Sequence, residues 1–455
     1  MSDESPSEVE GDTMNVRFWG TRGSVAKPGP TTLRYGGNTS CVELRGADGT
    51  LIVLDCGTGA HGLGQALVAA GGRSCDGHLL ITHTHWDHIQ GFPFFAPLFV
   101  PGNTWNIYAP SALGRQLERT LAGQMEYNYF PVTLAQLGAT TRYHDLVEGG
   151  FAVGGVRVVA RYLNHPALTL GYRLESGGVV VVYSVDHEPH APNPAARRTG
   201  EPPPHAEDRR HVDFLADADL VIHDAQYTLD EYGQKTGWGH TPAEWAVDYA
   251  VAARAKHLAL FHHDPLRNDD AIDHVVATCR RRAEAAGSAL NVVGAAEGEA
   301  FYLAERSTNV PEREAVTGSA LTSDRFTILV ADDDPTIVRL LTLALEADGF
   351  RVVTANDGKT ALERARGEPP ALILLDWQMP GADGIEVTRA LRNDRDPALR
   401  NVPVVLITAQ SGAENTAAGF AAGVTDYLTK PFRPAHVRAR VQAWLLRRRS
   451  DAGRE

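Results

Sequence analysis

The run HTHWDH at residues 83–88 restricts the fold of this chain more than any other part of its sequence. It follows HLLIT, an apolar run that predicts a buried strand. Burying three imidazoles and a carboxylate costs several kcal/mol unless a partner satisfies them, and a bound cation does so. Side chains two residues apart on an extended chain point the same way, so His83 and His85 can share one cation. Asp87 and His88 then turn towards a second position, so the run as a whole predicts a metal-binding site.

The 455 residues suggest two or three domains, since a domain takes about 150 residues. Residues 14–305 contain short β-rich runs separated by Gly-rich turns and a few helical patterns. Several runs are apolar throughout, as in strands buried on both faces, and we expect one domain there. Residues 1–13 predict a flexible acidic tail. Residues 306–325 are rich in Ser, Thr and charge without periodicity, which predicts a linker.

A different pattern begins at residue 326. Five apolar runs alternate with five helical patterns over residues 326–448. This alternation predicts a parallel sheet with helices on both faces. Residues 449–455 are expected to form a short tail, so the whole chain is predicted to be an α/β protein of two domains.

Composition excludes several classes of protein. The net charge of -13 makes the chain a poor non-specific binder of nucleic-acid backbone. No apolar run approaches the roughly 20 residues that cross a bilayer, and the acidic N-terminus lacks the apolar core of a secretory signal. The four cysteines form no CxxC pair, which is typical of reduced thiols. We therefore expect a cytoplasmic protein without a membrane partner.

The HxHxDH spacing after an apolar strand resembles the metallo-β-lactamase superfamily, an αβ/βα sandwich with one or two metals at one edge. This resemblance implies a ligand set that other segments of the chain can supply. His165 lies in YLNHPALTLGYRL, where the third histidine is expected, and Asp186 ends VVVVYSVD, where the bridging carboxylate is expected. The implied first metal is held by His83, His85 and His165.

The second implied metal is held by Asp87, His88 and a late histidine, with Asp186 between the two metals. LALFHH offers both His262 and His263 for the late position. Strand alternation places His262 on the face of the preceding leucines, as the superfamily pattern usually runs. His263 faces the other way unless the strand has already ended, so His262 is favoured and His263 stays the alternative.

Asp55 in LIVLDCGTG resembles the early aspartate of the superfamily, which usually braces the site without binding metal. Imidazole and carboxylate ligands without cysteine suit Zn²⁺, and they also suit Mn²⁺ or Fe. We expect two such ions in the N-terminal domain.

Gly239-His240-Thr241 precedes the helical pattern PAEWAVDYA and resembles the branch of tRNA 3′-processing nucleases and cyclic phosphodiesterases. In that branch the histidine contacts phosphate and helps to protonate the leaving oxygen, as phosphodiester cleavage requires. Alternatively, His240 is a helix-entry residue bonded to backbone. Thr241 predicts a helix N-cap, with Pro242 at the first helical position.

The tRNA-processing enzymes carry a long arm between the third histidine and the bridging aspartate. Here one hairpin separates His165 from Asp186, and the acidic charge disfavours a polyanion. We expect a metal-dependent phosphodiesterase acting on a small, cyclic nucleotide-like substrate, with Asp87 and His240 as catalytic residues. Two alternatives stay open: a metallohydrolase of a lactone or thioester, and a non-catalytic metal-bound scaffold.

Residues 326–448 resemble the receiver domain of two-component response regulators, a (βα)5 flavodoxin-like fold. Asp332 and Asp333 follow the first strand and Asp376 ends the third, at the sheet edge where such folds bind ligands. The resemblance implies Mg²⁺ on these three carboxylates, and oxygen ligands suit that ion. It also makes Asp376 the acceptor of a phosphoryl group from a histidine kinase.

Thr408 and Lys430 end the fourth and fifth strands, and the resemblance implies that they contact the added phosphoryl group while Tyr427 changes rotamer. Asp334 predicts a helix cap. Phosphorylation is expected to regulate catalysis or formation of a homodimer. No DNA-binding domain is expected after the receiver.

Two segments have open roles. The Pro-rich stretch from 192 to 204, with the basic and histidine residues around it, predicts either a solvated loop or a lid that supplies cations. The opening hairpin carries Arg34 and Asn38, which are expected in turn and surface roles, with ligand contact as the alternative.

Overall fold

We describe the protein from a computed structural model. The structure describes residues 13–70, 75–110, 117–190, 203, 205–304, 326–408, 419, 422–430, 432 and 434–452. The predicted linker, nearly all of the acidic tail and most of the Pro-rich stretch lie outside these residues. Of the predicted C-terminal tail, residues 449–452 continue the last helix and residues 453–455 lie outside the described residues.

The N-terminal part begins with a seven-stranded sheet whose strands run in the order β14-β1-β2-β3-β4-β5-β6. Neighbours from β14 to β3 are antiparallel and those from β3 to β6 are parallel. Its strands are β1 Thr13–Gly20, β2 Cys41–Arg45, β3 Leu51–Leu54, β4 Gly77–Leu80, β5 Thr104–Pro110, β6 Thr140–Leu146 and β14 Ala300–Ala304.

A second seven-stranded sheet has the order β13-β12-β11-β10-β9-β8-β7. It is parallel from β13 to β10 and antiparallel from β10 to β7. Its strands are β7 Gly149–Val153, β8 Val156–Leu163, β9 Thr169–Ser176, β10 Val179–Ser184, β11 Leu220–Asp224, β12 His257–Phe261 and β13 Asn291–Gly294.

The two sheets pack face to face around one apolar cluster to which both contribute. In β1, Val16 and Phe18 are fully buried in it while Arg17 between them is exposed, as period-two alternation requires. Helices cover the outer faces through two further clusters. The described helices are α1 Gly59–Ala69, α2 Trp86–Ile89, α3 Leu117–Gln124, α4 Ala206–Leu215, α5 Leu229–Tyr232, α6 Ala243–Ala252 and α7 Asp269–Ala285.

This arrangement is the predicted αβ/βα sandwich. Its first strand begins at Thr13, one residue before the predicted boundary. The other predicted domain boundaries stay proposals.

The C-terminal part is a five-stranded sheet of order β16-β15-β17-β18-β19, with every pair parallel. This is the predicted flavodoxin-like order. Asp334 caps its first helix by accepting a hydrogen bond from the Thr336 amide at 2.8 Å, as predicted. The elements are β15 Thr327–Ala331, α8 Pro335–Glu346, β16 Arg351–Ala355, α9 Gly358–Gly367, β17 Leu372–Asp376, α10 Gly384–Arg392, α11 Pro397–Arg400, β18 Val404–Thr408, β19 Asp426–Thr429 and α12 Pro434–Ala452.

Within the described residues, no helix is both long and apolar enough to span a bilayer.

Candidate metal centre and phosphoacceptor site

Side chains from several strand ends meet at one edge of the sandwich. The run 83–88 follows β4, His165 follows β8, Asp186 follows β10 and His262 follows β12. The sequence separates these segments by up to 179 residues, more than half of the domain, and the packing of the two sheets brings them together. The meeting point is buried: the side chains of His83, His165 and Asp186 are each at most 2% exposed.

The first group consists of His83, His85, His165 and Asp186, whose potential ligand atoms all lie within 4.8 Å of one another. His165 Nε2 is 3.2 Å from His85 Nδ1. Asp186 Oδ2 lies 3.6 Å from His83 Nε2 and 3.4 Å from His165 Nε2. The structure therefore brings together all the residues expected around the first metal.

The second group consists of Asp87, His88 and His262, again with ligand atoms within 4.8 Å. Asp87 Oδ2 is 3.3 Å from His88 Nε2 and 3.1 Å from His262 Nε2. The other oxygen of Asp186, Oδ1, lies 3.3 Å from His88 Nε2 and 3.2 Å from His262 Nε2. One carboxylate thus directs each of its two oxygens at a different set of imidazoles.

Several atoms in these groups are buried without a hydrogen-bond partner. Among the described residues they include His83 Nε2, His88 Nε2 and Asp186 Oδ1. Buried polar atoms are nearly always paired, so each orphan needs an explanation. Three orphans that converge on two positions fit two cations, because an imidazole nitrogen and a carboxylate oxygen are both ligand atoms for Zn²⁺.

The structure places His262 in the cluster and turns His263 away, since His263 Nε2 is 2.9 Å from the Ala295 carbonyl oxygen. His262 is the residue that strand alternation favoured, but the reason given for that choice was wrong. Leu258 and Leu260 face the outer helical cluster, and continued alternation would send His262 there too. Instead β12 ends at Phe261, and His262 adopts a left-handed backbone with φ of 61°, which redirects its ring.

The receiver sheet carries its own acidic group. Asp332, Asp333 and Asp376 have oxygens within 4.8 Å of one another at the predicted sheet edge. Lys430 Nζ donates to Asp332 Oδ2 at 2.8 Å and to Asp376 Oδ1 at 2.6 Å. Burial raises the pKa of Asp376, with Asp332 adding to the effect and Lys430 opposing it.

Thr408 and Tyr427 are buried, 5% and 7% exposed. The Tyr427 ring stacks on Trp377, with centroids 6.2 Å apart. Thr408 ends β18, which pairs with the strand that ends at Asp376, and Tyr427 lies within β19, which pairs with β18.

Comparison with known proteins separates the chain into the same two parts. Residues 50–263 match the family model described as the beta-lactamase superfamily domain, and residues 328–442 match the response regulator receiver domain. The chain joins a metallo-β-lactamase-fold domain to a receiver domain. That fold generally binds metal ions, in agreement with the histidine and aspartate groups described above.

Curated relatives match the receiver part. The DNA-binding response regulator MtrA of Mycolicibacterium smegmatis is 42% identical over 127 residues, 28% of this chain and 53% of that protein. The response regulator PleD of Caulobacter vibrioides is 47% identical over 116 residues, 26% of this chain and 25% of that protein. The chain spans about half the length of the first of these relatives.

Similar solved structures include a metallo-β-lactamase-fold protein and a tRNase Z. YhfI from Bacillus subtilis is 19% identical with a TM-score of 0.44, covering 64% of this chain and 99% of that chain. The short form of human tRNase Z is 22% identical with a TM-score of 0.42, covering 63% of this chain and 98% of that chain.

Asp55 braces the metal groups of the metallo-β-lactamase-fold domain, as expected from its position. Its Oδ2 is 2.8 Å from His88 Nδ1 and accepts from the Tyr183 hydroxyl at 2.9 Å, while Oδ1 accepts from the Thr82 amide at 2.7 Å. A carboxylate on the far nitrogen fixes the ring so that Nε2 faces the site. Asp55 does not belong to either ligand group.

Backbone strain accompanies three of these positions. Asp55, Asp186 and His262 have φ of 58°, 57° and 61°, a region that non-glycine residues rarely adopt and that costs of order 1–3 kcal/mol. A β-carbon on Gly23 would lie 2.4 Å from the His262 ring, so only glycine fits there. The fold thus accepts strain and close approach to aim these side chains inward.

Burial and neighbouring charges act differently on the pKa values of the residues in the two metal groups. Burial lowers the pKa of His83 well below its ordinary value and that of His165 to about 3, so both rings are neutral. Burial alone would raise the pKa of Asp186, but the surrounding histidines, led by His262, hold it well below its usual range. Burial opposes charge on His88 as well, yet Asp87 and the other nearby carboxylates raise its pKa well above the ordinary value.

His240 stands beside the metal groups, with its ring centroid 5.1 Å from that of His262 and 5.4 Å from that of His165. Its Nδ1 is 2.8 Å from Asp224 Oδ2. Burial alone would lower its pKa, but the Asp224 carboxylate outweighs this effect and raises it to about 9. The backbone-bonded alternative for His240 does not describe this contact, because its ring nitrogen pairs with a carboxylate.

The predicted N-cap at Thr241 was wrong. Pro242 occupies the N-cap position of α6, and no side chain caps that helix. The Thr241 hydroxyl donates to the His187 carbonyl instead. Thr241 therefore ties the segment after His240 to the segment after Asp186.

Sequence reasoning missed Asp224 and Gln226. Gln226 Oε1 lies 3.1 Å from His262 Nδ1. The backbone amide of Gln226 donates to Asp224 Oδ1 at 3.0 Å. Asp224 ends the apolar strand LVIHD in the same way that Asp186 ends VVVVYSVD, and this pattern could have identified it. Gln226 has no such signal.

Arg34 and Asn38 take structural roles, as favoured. The Arg34 side chain is 52% exposed and pairs with Asp270 and Asp273 on α7. The Asn38 side chain donates to Glu297 at 3.0 Å. Neither residue lines the pocket at the metal groups.

The basic and histidine residues near the Pro-rich stretch are only partly described. His205 and His211 are each 3% exposed and buried against the domain. Arg209 donates to the Pro203 carbonyl at 3.2 Å, and Arg210 pairs with Glu207 at 3.1 Å. Arg197 and Arg198, and with them the choice between loop and lid, lie outside the described residues.

A pocket of about 300 Å³ opens onto the metal groups. Among the described side chains that line it, none is Lys or Arg. Trp86 is 72% exposed at its edge. The lining residues are Ser24, Thr84, His85, Trp86, Asp87, Asp186, His240 and His262.

Proposed function

We propose that the N-terminal domain is a metal-dependent phosphodiesterase that hydrolyses a small phosphodiester such as a cyclic nucleotide. One observation carries the proposal: the two oxygens of Asp186 face separate histidine groups, and His240 stands beside both. Two positions joined by a carboxylate suit in-line displacement at phosphorus, in which the attacking and leaving oxygens both carry developing charge.

The metals would be Zn²⁺, or Mn²⁺ or Fe, with Asp186 shared between the positions. Bound divalent cations supply a nucleophile from water near neutral pH and stabilise negative charge on phosphoryl oxygens. The residues of the first position are His83, His85 and His165, and those of the second are Asp87, His88 and His262.

His240 supplies the proton that the leaving group needs. Its Nδ1 faces Asp224, which leaves Nε2 for the substrate, and a pKa of about 9 keeps the ring protonated near neutral pH. As the water oxygen bonds to phosphorus and the bond to the leaving oxygen breaks, the Nε2 proton passes to that oxygen. Asp224 holds the ring in place and stabilises its positive charge.

The shape and charge of the pocket favour a small substrate. A volume of about 300 Å³ lies at the lower end for ligand pockets. The described lining has no Lys or Arg, so a long polyanion would find no cationic track there. The exposed Trp86 ring offers a flat face on which a nucleobase can stack.

The receiver would regulate this activity through a phosphoryl group on Asp376, with a histidine kinase as the donor. One Asp376 oxygen would attack phosphorus as the bond to the donor nitrogen breaks. Asp332, Asp333 and Asp376 would hold Mg²⁺, an ion that would offset the added charge. Lys430, which contacts both Asp332 and Asp376, is placed to contact the new phosphoryl oxygens. Any second copy of the chain in a homodimer, and a cytoplasmic location, stay predictions.

The test is hydrolysis by the metal-loaded full chain of a panel of cyclic nucleotides, linear dinucleotides, lactones and thioesters. We expect turnover of a cyclic nucleotide that His240→Ala lowers at least about 100-fold, as for loss of a general acid. His274→Ala, which changes an exposed histidine on α7, is the matched control and should keep wild-type turnover.

Two results would overturn the proposal. Turnover of an ester alone, unaffected by His240→Ala, would make the domain a lactone or thioester hydrolase. Bound metal without turnover of any substrate class would make it a scaffold.

A further inference from the structure

The receiver packs against the metallo-β-lactamase-fold domain next to its metal groups. Ala443 and Leu446, on the last helix α12, belong to the apolar cluster that fills the space between the two large sheets. His436 in the first turn of α12 is 8% exposed, and its Nε2 lies 2.8 Å from Asn164 Oδ1. Asn164 directly precedes His165 of the first metal group, so the two domains meet one residue from a candidate ligand.

The direction of this contact is fixed by its neighbours. Asn164 Nδ2 donates to the Glu188 carbonyl at 2.7 Å, which leaves Oδ1 as the atom that faces His436. Burial lowers the pKa of His436 well below its ordinary value, so the ring is neutral and carries one proton. That proton is on Nε2 and is donated to Asn164.

Glu188 connects this contact to the segment that precedes His240. Its carboxylate accepts from the Gly237 and Gly239 amides at 2.7 and 2.8 Å and from the Tyr232 hydroxyl at 2.8 Å. The Gly239 carbonyl oxygen in turn lies 3.0 Å from His165 Nδ1. Glu188 therefore holds residues 237–239, the segment that contacts His165 and directly precedes His240.

A second contact joins the receiver to the same region. His205 Nε2, at the start of α4, lies 3.6 Å from Asp426 Oδ1 on β19, and its ring centroid is 6.4 Å from that of Tyr427. Asp426 Oδ2 accepts from the Trp444 indole at 3.0 Å and pairs with Arg440, so it also fixes α12.

The two interdomain contacts, at Asp426 and His436, flank in sequence the residue that contacts Asp376. Lys430 pairs with Asp332 and Asp376, and it lies in sequence between Asp426 on β19 and His436 on α12. A phosphoryl group on Asp376 adds negative charge and acceptor oxygens beside Lys430. Lys430 directly follows β19, and Asp426 on that strand contacts Trp444 and Arg440 of α12, so described contacts connect Lys430 to that helix.

We propose that His436 is a positioning residue through which the charge on Asp376 alters the metal site, by way of Asn164 and Glu188. This inference deepens the proposed function, because it names the route by which that same site is regulated. By linkage, a state of the receiver that shifts the His436 contact must change the affinity of the site for metal.

The test compares each variant with and without beryllium fluoride, a phosphoryl mimic, in the full chain. Zinc affinity is measured by competition with a chromogenic chelator, and phosphorylation of Asp376 by an acyl phosphate is measured separately on gels. We expect the mimic to change the zinc affinity of the wild-type chain by about fivefold or more. His436→Ala should bring this ratio within about twofold of one while Asp376 is still phosphorylated.

A conservative variant separates coupling from mere folding. His436→Gln carries an amide that can donate to Asn164 Oδ1, and it should restore much of the wild-type ratio. His274→Ala should leave the ratio unchanged. If His436→Ala fails to fold, His436→Phe, whose ring cannot donate to Asn164, carries the test and should likewise bring the ratio towards one.

The proposal is overturned if the wild-type ratio is one, or if His436→Ala keeps the wild-type ratio. Zinc affinity requires no phosphodiester, so the result does not depend on turnover. A chain whose zinc affinity responds to the mimic but which hydrolyses no phosphodiester would retain the coupling and lose the proposed function.

Discussion

The two candidate cation sites of this chain use the same structural position for opposite purposes. Both lie at the carboxyl ends of strands, and both collect carboxylates there. In the N-terminal site the carboxylate of Asp186 faces histidine rings through both of its oxygens, and the side chain of His88 is fully buried. In the receiver, Lys430 already neutralises Asp332 and Asp376, and Asp333 is exposed.

This difference separates a permanent site from a transient one. Orphaned nitrogens, strained backbone at Asp186 and His262, and the Asp55 brace all preorganise the first site for resident cations. In the receiver site one of the three carboxylates is exposed, and the lysine can exchange carboxylate partners for phosphoryl oxygens. The geometry of the first site suits cations that stay bound, and that of the second suits a phosphoryl group that is added and removed.

The largest expected effect follows from removing the shared carboxylate. Asp186→Ala leaves the histidines of both groups without their common partner, so metal content should fall and hydrolysis should drop by more than about 100-fold. Losses of about 10- to 100-fold are typical for residues that only support metal ligands, and a residue shared by both positions should exceed them. Elemental analysis and turnover check this. Asp217→Ala is the matched control, because Asp217 has φ of 55° and a 64% exposed carboxylate. Wild-type metal content in Asp186→Ala would show that the sites do not share this residue.

The second expected effect sets the receiver apart. Asp376→Asn should abolish labelling by an acyl phosphate, since the amide is not a nucleophile for phosphorus, and should leave the zinc content of the N-terminal domain at the wild-type level. Glu363→Gln, an exposed carboxylate on α9, should label normally. Labelling of Asp376→Asn at the wild-type level would place the acceptor elsewhere.

A smaller loss is expected one layer outside the metal groups. Asp55→Asn keeps an oxygen near His88 but removes the charge that raises the basicity of its ring, so zinc affinity should fall about 10- to 100-fold. Chelator competition measures it, with Asp48→Asn on an exposed turn as the control. An unchanged affinity would mean that Asp55 only supports the fold.

The smallest expected effect concerns the pocket edge. Trp86→Ala should raise KM for a cyclic nucleotide about tenfold by loss of stacking, with little change in kcat. An alkyl phosphodiester without a base should show no such rise. Tyr302→Ala, an equally exposed aromatic on β14, serves as the control. Equal effects on both substrates would remove Trp86 from base recognition.

The sequence predicted the residues that carry charge better than it predicted their geometry. The HxHxDH run, His165 and Asp186 stand out because each is a polar residue where an apolar strand ends. His262 was chosen over His263 by alternation, but a left-handed residue after the strand is what aims it. Alternation holds only inside a strand, and the sequence does not mark where this one stops.

Other parts of the site had no visible signal. The side chains of Asn164 and Glu188 contact backbone groups of other segments. Their roles therefore depend on which segments the fold brings next to them, and the sequence does not show this. The contact of His436 with the N-terminal domain lies across 272 residues of sequence and depends on how the domains pack. Periodicity and motif spacing carry no information on that packing.

Anomalous diffraction at the zinc edge, from crystals of the zinc-loaded full chain, tests the central claim most directly. The account predicts two peaks, one on either side of the Asp186 carboxylate, the first among His83, His85 and His165 and the second among Asp87, His88 and His262. A map without peaks at Asp186, or with zinc bound only elsewhere in the chain, would contradict it.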